Sequence, residues 1–238
     1  MPLQSRTERI PSHDSGDFSG HLVLPESGGG PGLVVVQEIF GLTKYVKEVC
    51  ERVAKLGYVA LAPDLYWRLE PGVALEEERE DSIQRAFGYR QRVDYDLAVD
   101  DSIATVERLR SLPETDGHAG IIGFCFGGGI AFRVAAQDDP DVSISYYGSE
   151  VPASIGMRQD IRCPILFHFG GADQYLTPDK QQVVMEAFER EPKAEFHVHE
   201  GAGHAFDNWN APMFHHEGAA KEAWAQTEDW LRRNYPAG

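Results

Sequence analysis

Short apolar runs alternate with longer amphipathic segments along most of this chain of 238 residues. Strand patterns occur at residues 21–24, 33–37, 58–62, 119–123, 142–147, 164–169 and 194–199. Helical patterns separate many of them and are clearest at residues 45–56, 97–112, 178–190 and 217–234. Strands joined through helices form βαβ units with parallel strands. We therefore expect an α/β fold with a mostly parallel central sheet and helices on both faces.

Length and charge narrow the class of protein. The chain is long enough for one sizeable core, and we expect a single domain over residues 1–238 with residues 1–17 irregular or peripheral. The 22 basic and 38 acidic residues give a net charge of −16 without a basic tract, which argues against a nucleic-acid partner. The most charged segment, residues 75–81, is interpreted as the solvated face of a helix.

Apolar runs and cysteines indicate the compartment. No run approaches the roughly 20 residues of a membrane-spanning helix, and the N-terminal segment lacks the apolar stretch of a secretory leader. The cysteines, Cys50, Cys125 and Cys163, are too few for a disulfide framework. We expect a cytoplasmic protein with no membrane partner.

A glycine-rich turn after the strand at 119–123 has the pattern of a nucleophile elbow. Its sequence, GFCFG over residues 123–127, places Cys125 between small residues that let the neighbouring chains pass closely. The positive end of a following helix would favour a thiolate there. A buried structural cysteine is the alternative, and a phosphate cradle is disfavoured because the spacing is not GxGxxG.

Two residues downstream could complete the chemistry of Cys125. Asp173 follows the strand at 164–169, and His204 lies in a small-residue loop after the strand at 194–199. The order nucleophile, acid, histidine is that of α/β-hydrolases, although Asp173 alone could be a turn residue.

The other histidines are weaker candidates. His197 and His199 share one face of a strand, but no third ligand stands at a recognisable spacing, and no metal site is predicted. His168 is expected within a buried strand.

Acyl transfer also needs donors for a developing oxyanion. We expect these to be the backbone N–H groups of Phe126, after the nucleophile, and of Ile39, in the loop after the strand at 33–37. Glu38 ends that apolar strand. It is interpreted as a second acid facing the thiol, with a solvated strand end as the alternative.

The chain resembles the dienelactone hydrolase (carboxymethylenebutenolidase) family of α/β-hydrolases over about residues 18–235. The shared segments are QEIFG at 37–41, APDLY at 62–66, GFCFGG at 123–128, YYG at 146–148, GGAD at 170–173 and GHAF at 203–206. The resemblance implies an α/β-hydrolase fold, a Cys125–His204–Asp173 triad, oxyanion donors at Ile39 and Phe126, and Glu38 as an activating carboxylate.

The chain departs from this family at the arginines that hold a dienelactone carboxylate. One of these positions is Asn208 here, and the other falls near Ile83, with Arg79, Arg85 and Arg90 out of register. Each lost charge-assisted hydrogen bond is worth about 1.5–3 kcal/mol. The family chemistry is therefore better supported than the family substrate.

We predict a hydrolase that cleaves a small ester or lactone through a thioester and needs no metal or organic cofactor. The predicted substrate contacts are Phe40, Tyr45, Tyr66, Trp67, Phe124, Tyr146, Phe206 and Asn208. A hydrolase of other bonds on the same scaffold, and a ligand- or redox-sensing binding protein that uses Cys125, are the alternatives. Whether Glu38 or His204 deprotonates Cys125 stays open, and the sequence does not predict an oligomeric state.

Overall fold

Apolar and β-branched runs form the strands of the computed structural model, which describes residues 3–14 and 16–237. In that part of the chain, eight strands alternate with seven α-helices, which confirms the predicted α/β class. The strands are β1 (Gln4–Pro11), β2 (Asp17–Leu24), β3 (Gly30–Val36), β4 (Val59–Pro63), β5 (Thr115–Phe124), β6 (Ser143–Tyr146), β7 (Ile165–Gly170) and β8 (Ala194–His199). The helices are α1 (Lys44–Lys55), α2 (Glu80–Arg92), α3 (Tyr95–Ser111), α4 (Phe126–Gln137), α5 (Val151–Ser154), α6 (Pro178–Ala187) and α7 (Glu217–Asn234), with a 3-10 helix at Ile155–Asp160.

Internal packing divides the chain into two compact units, Met1–Ile121 with Ala237–Gly238, and Ile122–Pro236. Strand β5 carries the chain from the first unit into the second. The single domain predicted over residues 1–238 stays a prediction. Among the described residues, no helix combines the length and the apolarity needed to cross a lipid bilayer.

The first unit pairs its strands in the order β1-β2-β4-β3. Strands β1 and β2 are antiparallel, as are β2 and β4, whereas β3 runs parallel to β4 with Leu33 opposite Ala60. Helices α1 and α3 pack on these strands. Residues 33–36 of β3 are fully buried, as expected for a strand covered on both faces.

The N-terminal strand was not predicted, because its sequence lacks an apolar pattern. Residues 1–17 were expected to be irregular or peripheral. Residues 4–11 form a regular strand instead, and it is peripheral because β1 pairs only at the edge of the sheet. Ile10 is fully buried and Glu8 accepts a 2.7 Å hydrogen bond from Arg108, so ladder pairing and an ion pair hold a mostly polar strand.

The prediction of a solvated helix over residues 75–81 is wrong for most of that segment. Helix α2 begins only at Glu80, and both Leu75 and Glu77 are buried. The Leu75 N–H donates to the Phe40 carbonyl at 2.9 Å. This pairing holds an extended segment against the loop after β3, and a helix would break it.

The second unit contains parallel strands in the order β6-β7-β8. Tyr146 lies opposite His168, and Gly170 lies opposite His199. Helix α4 packs on β6, and α7 packs on β7 and β8. Because parallel strands end at the same edge of a sheet, the loops after these strands gather at one edge.

Candidate active site

The turn between β5 and α4 holds Cys125 in an unusual backbone conformation. Its φ and ψ angles are 54° and −113°, in a region that residues other than glycine seldom adopt. The Cys125 N–H donates to the Tyr146 carbonyl at 3.0 Å, and the Cys125 carbonyl accepts the Gly128 N–H at 3.0 Å. These bonds hold the turn from both sides and place the cysteine at the start of a helix.

The glycines around Cys125 are required by close backbone contacts. A Cβ atom on Gly123 would overlap the Gly127 carbonyl oxygen, and one on Gly128 would lie 2.6 Å from the Tyr146 carbonyl oxygen. No side chain fits these gaps. The small residues of the elbow pattern are therefore needed for the tight turn that the pattern predicts.

His204 lies between Cys125 and Asp173. Its Nε2 atom is 3.0 Å from Cys125 Sγ, and its Nδ1 atom is 2.7 Å from Asp173 Oδ2. The three residues come from the loops after β5, β7 and β8, and all belong to the second unit. The structure thus brings together the three residues that chain order had suggested.

Asp173 is buried and uses both oxygens. Oδ1 accepts the N–H groups of Tyr175 at 2.7 Å and of Leu176 at 2.9 Å, which leaves Oδ2 for His204. Burial alone would raise the pKa of Asp173, but the hydrogen bond and charge of His204, with the two N–H donors, lower it. An ionised Asp173 accepts a hydrogen bond from the Nδ1–H group of His204, and Nε2 is the nitrogen that faces sulfur.

The partners of His204 decide its charge. Burial is the largest influence and would lower the pKa of His204. The negative charge of Cys125 and the hydrogen bond to Asp173 outweigh burial, and the pKa of His204 is raised well above its ordinary value. The arrangement therefore favours an imidazolium at His204, beside the Asp173 carboxylate.

Two tyrosine rings contact His204 and were not singled out from the sequence. The ring centroids of Tyr147 and Tyr175 lie 5.3 and 5.0 Å from that of His204, both edge-on. Tyr175 is 46% exposed, whereas Tyr147 is buried. The available sequence clue was proximity, since Tyr175 stands two residues after Asp173 and Tyr147 lies in the YYG segment.

The loop after β3, in the first unit, is held by hydrogen bonds from its neighbours. The Tyr66 hydroxyl donates to the Ile39 carbonyl at 2.9 Å, and Gln37 Oε1 accepts the Leu65 N–H at 3.2 Å. Segments 37–41 and 62–66 therefore support each other. Glu38 is only 2% exposed, so the alternative of a solvated strand end is wrong.

Comparison with known proteins gives the family. A sequence profile described as the dienelactone hydrolase family matches residues 18–235. The carboxymethylenebutenolidase of Pseudomonas sp. (strain P51) is 37% identical over 231 residues, which cover 96% of this chain and 95% of that protein. The chain belongs to the dienelactone hydrolase family.

Other relatives agree with this assignment. The carboxymethylenebutenolidase of Pseudomonas putida is 34% identical over 197 residues, covering 83% of this chain and 84% of that protein. The crystal structure of a provisionally assigned dienelactone hydrolase from Klebsiella pneumoniae subsp. pneumoniae MGH 78578 is 25% identical, with a TM-score of 0.82 and coverage of 98% and 100%. The family resemblance and the α/β-hydrolase fold expected from the sequence are confirmed.

Most of the predicted substrate contacts of this dienelactone hydrolase family member lie inside the protein. Phe40, Tyr45, Tyr66, Phe124, Tyr146, Phe206 and Asn208 are buried. Trp67 is partly exposed, donates from Nε1 to Asp101 at 2.8 Å and stacks on Phe18. The Asn208 side chain accepts the Asn210 N–H at 3.0 Å. That the predicted contact residues bind the substrate stays a prediction.

The remaining cysteines and histidines lie apart from this chemistry. Cys50 and Cys163 are buried, and burial raises the pKa of Cys163 to about 12. Cys125 is the partly exposed cysteine. His168 is fully buried, as expected. Among the described residues, no three His, Cys, Asp or Glu side chains are grouped as a metal site.

Proposed function

We propose that this dienelactone hydrolase family member hydrolyses a small carboxylic ester or lactone, with Cys125 as its nucleophile. The observation that carries the proposal is the double contact of His204, 3.0 Å from Cys125 Sγ and 2.7 Å from Asp173 Oδ2. A nucleophile, a base and a group that orients the base are the parts that acyl transfer requires. The relatives named carboxymethylenebutenolidase support a lactone as one substrate class.

In the acylation half, the Cys125 thiolate attacks the substrate carbonyl carbon and forms an S–C bond. The carbonyl oxygen becomes an oxyanion, and we assign the backbone N–H groups of Ile39 and Phe126 as its donors. Phe126 is the first residue of α4, where N–H groups have no acceptor within the helix. The C–O bond then breaks, and the leaving oxygen takes the proton from His204 Nε2 to leave a thioester.

In the deacylation half, His204 acts as the base. Its Nε2 atom takes a proton from a water molecule, and the hydroxide forms a bond to the thioester carbonyl carbon. The C–S bond breaks, the acid leaves, and the thiolate is restored beside an imidazolium. Asp173 holds Nδ1–H throughout. The raised pKa of His204 supports this resting state.

The sequence left the first base open between His204 and Glu38. The 3.0 Å contact supports His204 as the base for Cys125. Glu38 enters the proposal as a second, buried carboxylate beside the Ile39 amide. A Glu38→Gln variant keeps the shape of this side chain and tests its charge through kcat/KM.

The substrate is proposed to be neutral and small. Asn208 replaces a family arginine and is buried, so it offers no charge to a substrate carboxylate. These steps use only groups of the chain itself and require no metal or organic cofactor. Three cysteines without a disulfide fit a reducing cytoplasm, which is kept as part of the proposal.

Cys125→Ala tests the nucleophile with p-nitrophenyl acetate and a panel of neutral and acidic lactones. Loss of the nucleophile is expected to lower kcat by about 10⁴-fold or more. Cys163→Ala, at a buried thiol, is the matched control and keeps its turnover. Mass spectrometry with a slow acylating ester is expected to find the acyl group on Cys125.

Undiminished turnover by Cys125→Ala would remove the proposal. Release of no more than one equivalent of product per chain would favour the sensing alternative instead. Turnover of carbon–carbon, carbon–sulfur or carbon–halogen substrates in place of esters would favour another hydrolase on this scaffold.

A further inference from the structure

Four buried polar side chains form a continuous hydrogen-bonded chain in the second unit, here called the polar brace. Its members are Tyr146, Thr227, His168 and His199. Thr227 Oγ1 lies 2.6 Å from the Tyr146 hydroxyl and 3.0 Å from His168 Nε2. His168 Nδ1 lies 3.1 Å from His199 Nε2. No step of the proposed reaction uses these groups.

Each member of the brace stands on a different element. Tyr146 ends β6, His168 lies on β7, His199 ends β8, and Thr227 lies on α7. These three strands lead to the loops around the candidate active site. The brace therefore links three neighbouring strands to one another through side chains of the strands and one helix.

The backbone of the brace residues holds the loops that carry the proposed triad. The Tyr146 carbonyl accepts the Cys125 N–H at 3.0 Å. The His199 carbonyl accepts N–H groups from Gly171 at 2.8 Å, before Asp173, and from Ala202 at 3.2 Å, before His204. A shift of Tyr146 relative to His199 would therefore move the sulfur relative to its partners.

The direction of the hydrogen bonds follows from Glu222. Its Oε2 atom is 3.7 Å from His199 Nδ1, so a proton on Nδ1 avoids two facing lone pairs. His199 Nε2 then accepts from His168 Nδ1–H, and His168 Nε2 accepts from the Thr227 hydroxyl. Thr227 in turn accepts from Tyr146. Each link has one donor and one acceptor, with both histidines neutral.

The surroundings of the two brace histidines lower their pKa values and so disfavour a charge on the brace. Burial, with His199 and His197 nearby, lowers the pKa of His168 well below its ordinary value. Burial also lowers the pKa of His199, against the opposing charge of Glu222. The titratable groups that face His199 are Glu222, His197 and His216. The three links of this chain favour a rigid arrangement, because breaking any one of them leaves a buried polar atom unsatisfied.

We infer that the polar brace positions the nucleophile relative to its acid and base, and that the Thr227 hydroxyl is the link on which this depends. In this inference the members of the brace act as positioning residues, through the hydrogen bonds that join them. The inference rests on the proposed function and adds to it the residues that hold its geometry. An error of about 1 Å in such a geometry can lower a rate by about 100-fold.

Two substitutions at Thr227 separate hydrogen bonding from packing. Thr227→Val keeps the shape and removes the hydroxyl, whereas Thr227→Ser keeps the hydroxyl and removes a methyl group. We expect Thr227→Val to lower kcat by about 10- to 100-fold with KM within about twofold. We expect Thr227→Ser to retain kcat within about threefold. If packing alone mattered, the order of the two variants would reverse.

Thr105→Val is the matched control for a buried threonine. Thr105 lies on α3 in the first unit, and its hydroxyl donates to the Asp101 carbonyl at 2.7 Å. Its removal is expected to leave kcat unchanged. Assays are run well below the unfolding temperature of each variant, so that lost stability does not lower the active fraction.

The pH profile of Cys125 alkylation by iodoacetamide gives a second measurement that needs no ester turnover. We expect Thr227→Val to shift this profile and Thr227→Ser to follow wild type, because only the first variant loosens the pairing of Cys125 with His204. If the wild type shows no ester turnover, the proposed function is wrong, but the pH profile of alkylation still tests the brace. An unshifted profile in Thr227→Val, or equal shifts in both variants, overturns the inference.

Discussion

Two largely buried histidines of the second unit have pKa values that are shifted in opposite directions. His168 lies inside β7 among uncharged partners, and its pKa is lowered well below the ordinary value. His204 lies in a loop between Asp173 and Cys125, and its pKa is raised well above that value. Burial opposes the charge on both rings. The difference teaches that neighbouring acids, rather than burial, decide which histidine can carry a proton.

The position of each imidazole in the fold decides which groups can approach it. The carboxyl ends of β7 and β8 open into loops, where Asp173 and His204 can approach, and Ala205 adopts a φ of 55° there. Within β7, the neighbours of His168 are strands and a helix that offer a hydroxyl and a second imidazole. Histidine therefore has a structural role within β7 and a proposed catalytic role in the loop after β8.

The largest effect is expected from Asp173→Asn, which removes the charge that distinguishes His204. The amide keeps the size of the carboxylate but donates an N–H to Nδ1 of His204. The ring proton then lies on Nε2, which can no longer accept a proton from Cys125 or from water. We expect kcat to fall by about 10³- to 10⁴-fold. Steady-state kinetics on p-nitrophenyl acetate measure it.

Asp179→Asn is the control for this change. Asp179 is an exposed residue in the first turn of α6, so its neutral form is expected to keep kcat. If Asp173→Asn were as active as this control, the assigned tautomer of His204 would be wrong.

Gly123→Ala is expected to distort the turn that holds Cys125. The added Cβ overlaps the Gly127 carbonyl oxygen, so the elbow must move or the fold must loosen. We expect a loss of about 1–3 kcal/mol in unfolding free energy, measured by urea denaturation, together with reduced turnover. Gly156→Ala, where a Cβ meets nothing within 4 Å, serves as the control and is expected to be close to neutral.

The neutral state of His168 is tested by the pH dependence of stability. A lowered pKa in the folded state gives stability that is complete above the unfolded pKa of about 6.5 and is lost as pH falls. Between about pH 7.5 and 5.5, wild type is expected to lose about 1.4 kcal/mol relative to His168→Gln, which cannot titrate. Urea denaturation at both pH values measures it, and a relative gain by wild type on acidification would refute the neutral assignment.

The smallest effect is expected from Tyr66→Phe, which acts on neither histidine. It removes the hydroxyl that holds the Ile39 carbonyl, so the loop after β3 loosens. We expect a loss of about 1 kcal/mol in stability and a fall in kcat/KM of about threefold to tenfold. Tyr58→Phe, which removes a hydroxyl bonded to the backbone of Ala237, is the control and keeps kcat/KM. Equal kcat/KM in the two variants would separate this loop from catalysis.

Periodicity predicted the strands and helices that bury an apolar face. Helix α7 has the predicted bounds, and β8 does as well. Strand β1 was not predicted, because its backbone hydrogen bonds to β2 produce no recognisable pattern in a mostly polar sequence. The prediction for residues 75–81 was wrong because their charge suggested a helix, whereas Leu75 pairs with the backbone of Phe40 and a turn precedes the start of α2 at Glu80.

The site was predictable where a local pattern had a mechanical cause. The small residues around Cys125 mark a tight turn, and the positions of Asp173 and His204 after strands mark loops at one edge of the sheet. Tyr175 and the polar brace were not predictable in the same way. Thr227 stands 59 residues from His168 and 81 from Tyr146, and nothing in the spacing joins them.

The amino-acid sequence by itself determined the fold class, the family and the identity of three residues with the right chemistry, because periodicity, turn glycines and chain order are local properties. Only the tertiary structure decided how the pKa of each histidine is shifted. The charge of a buried imidazole depends on the atoms that folding places within about 3–4 Å of it. Those atoms come from segments that are distant in the sequence, so the pKa of His204 is raised and that of His168 is lowered.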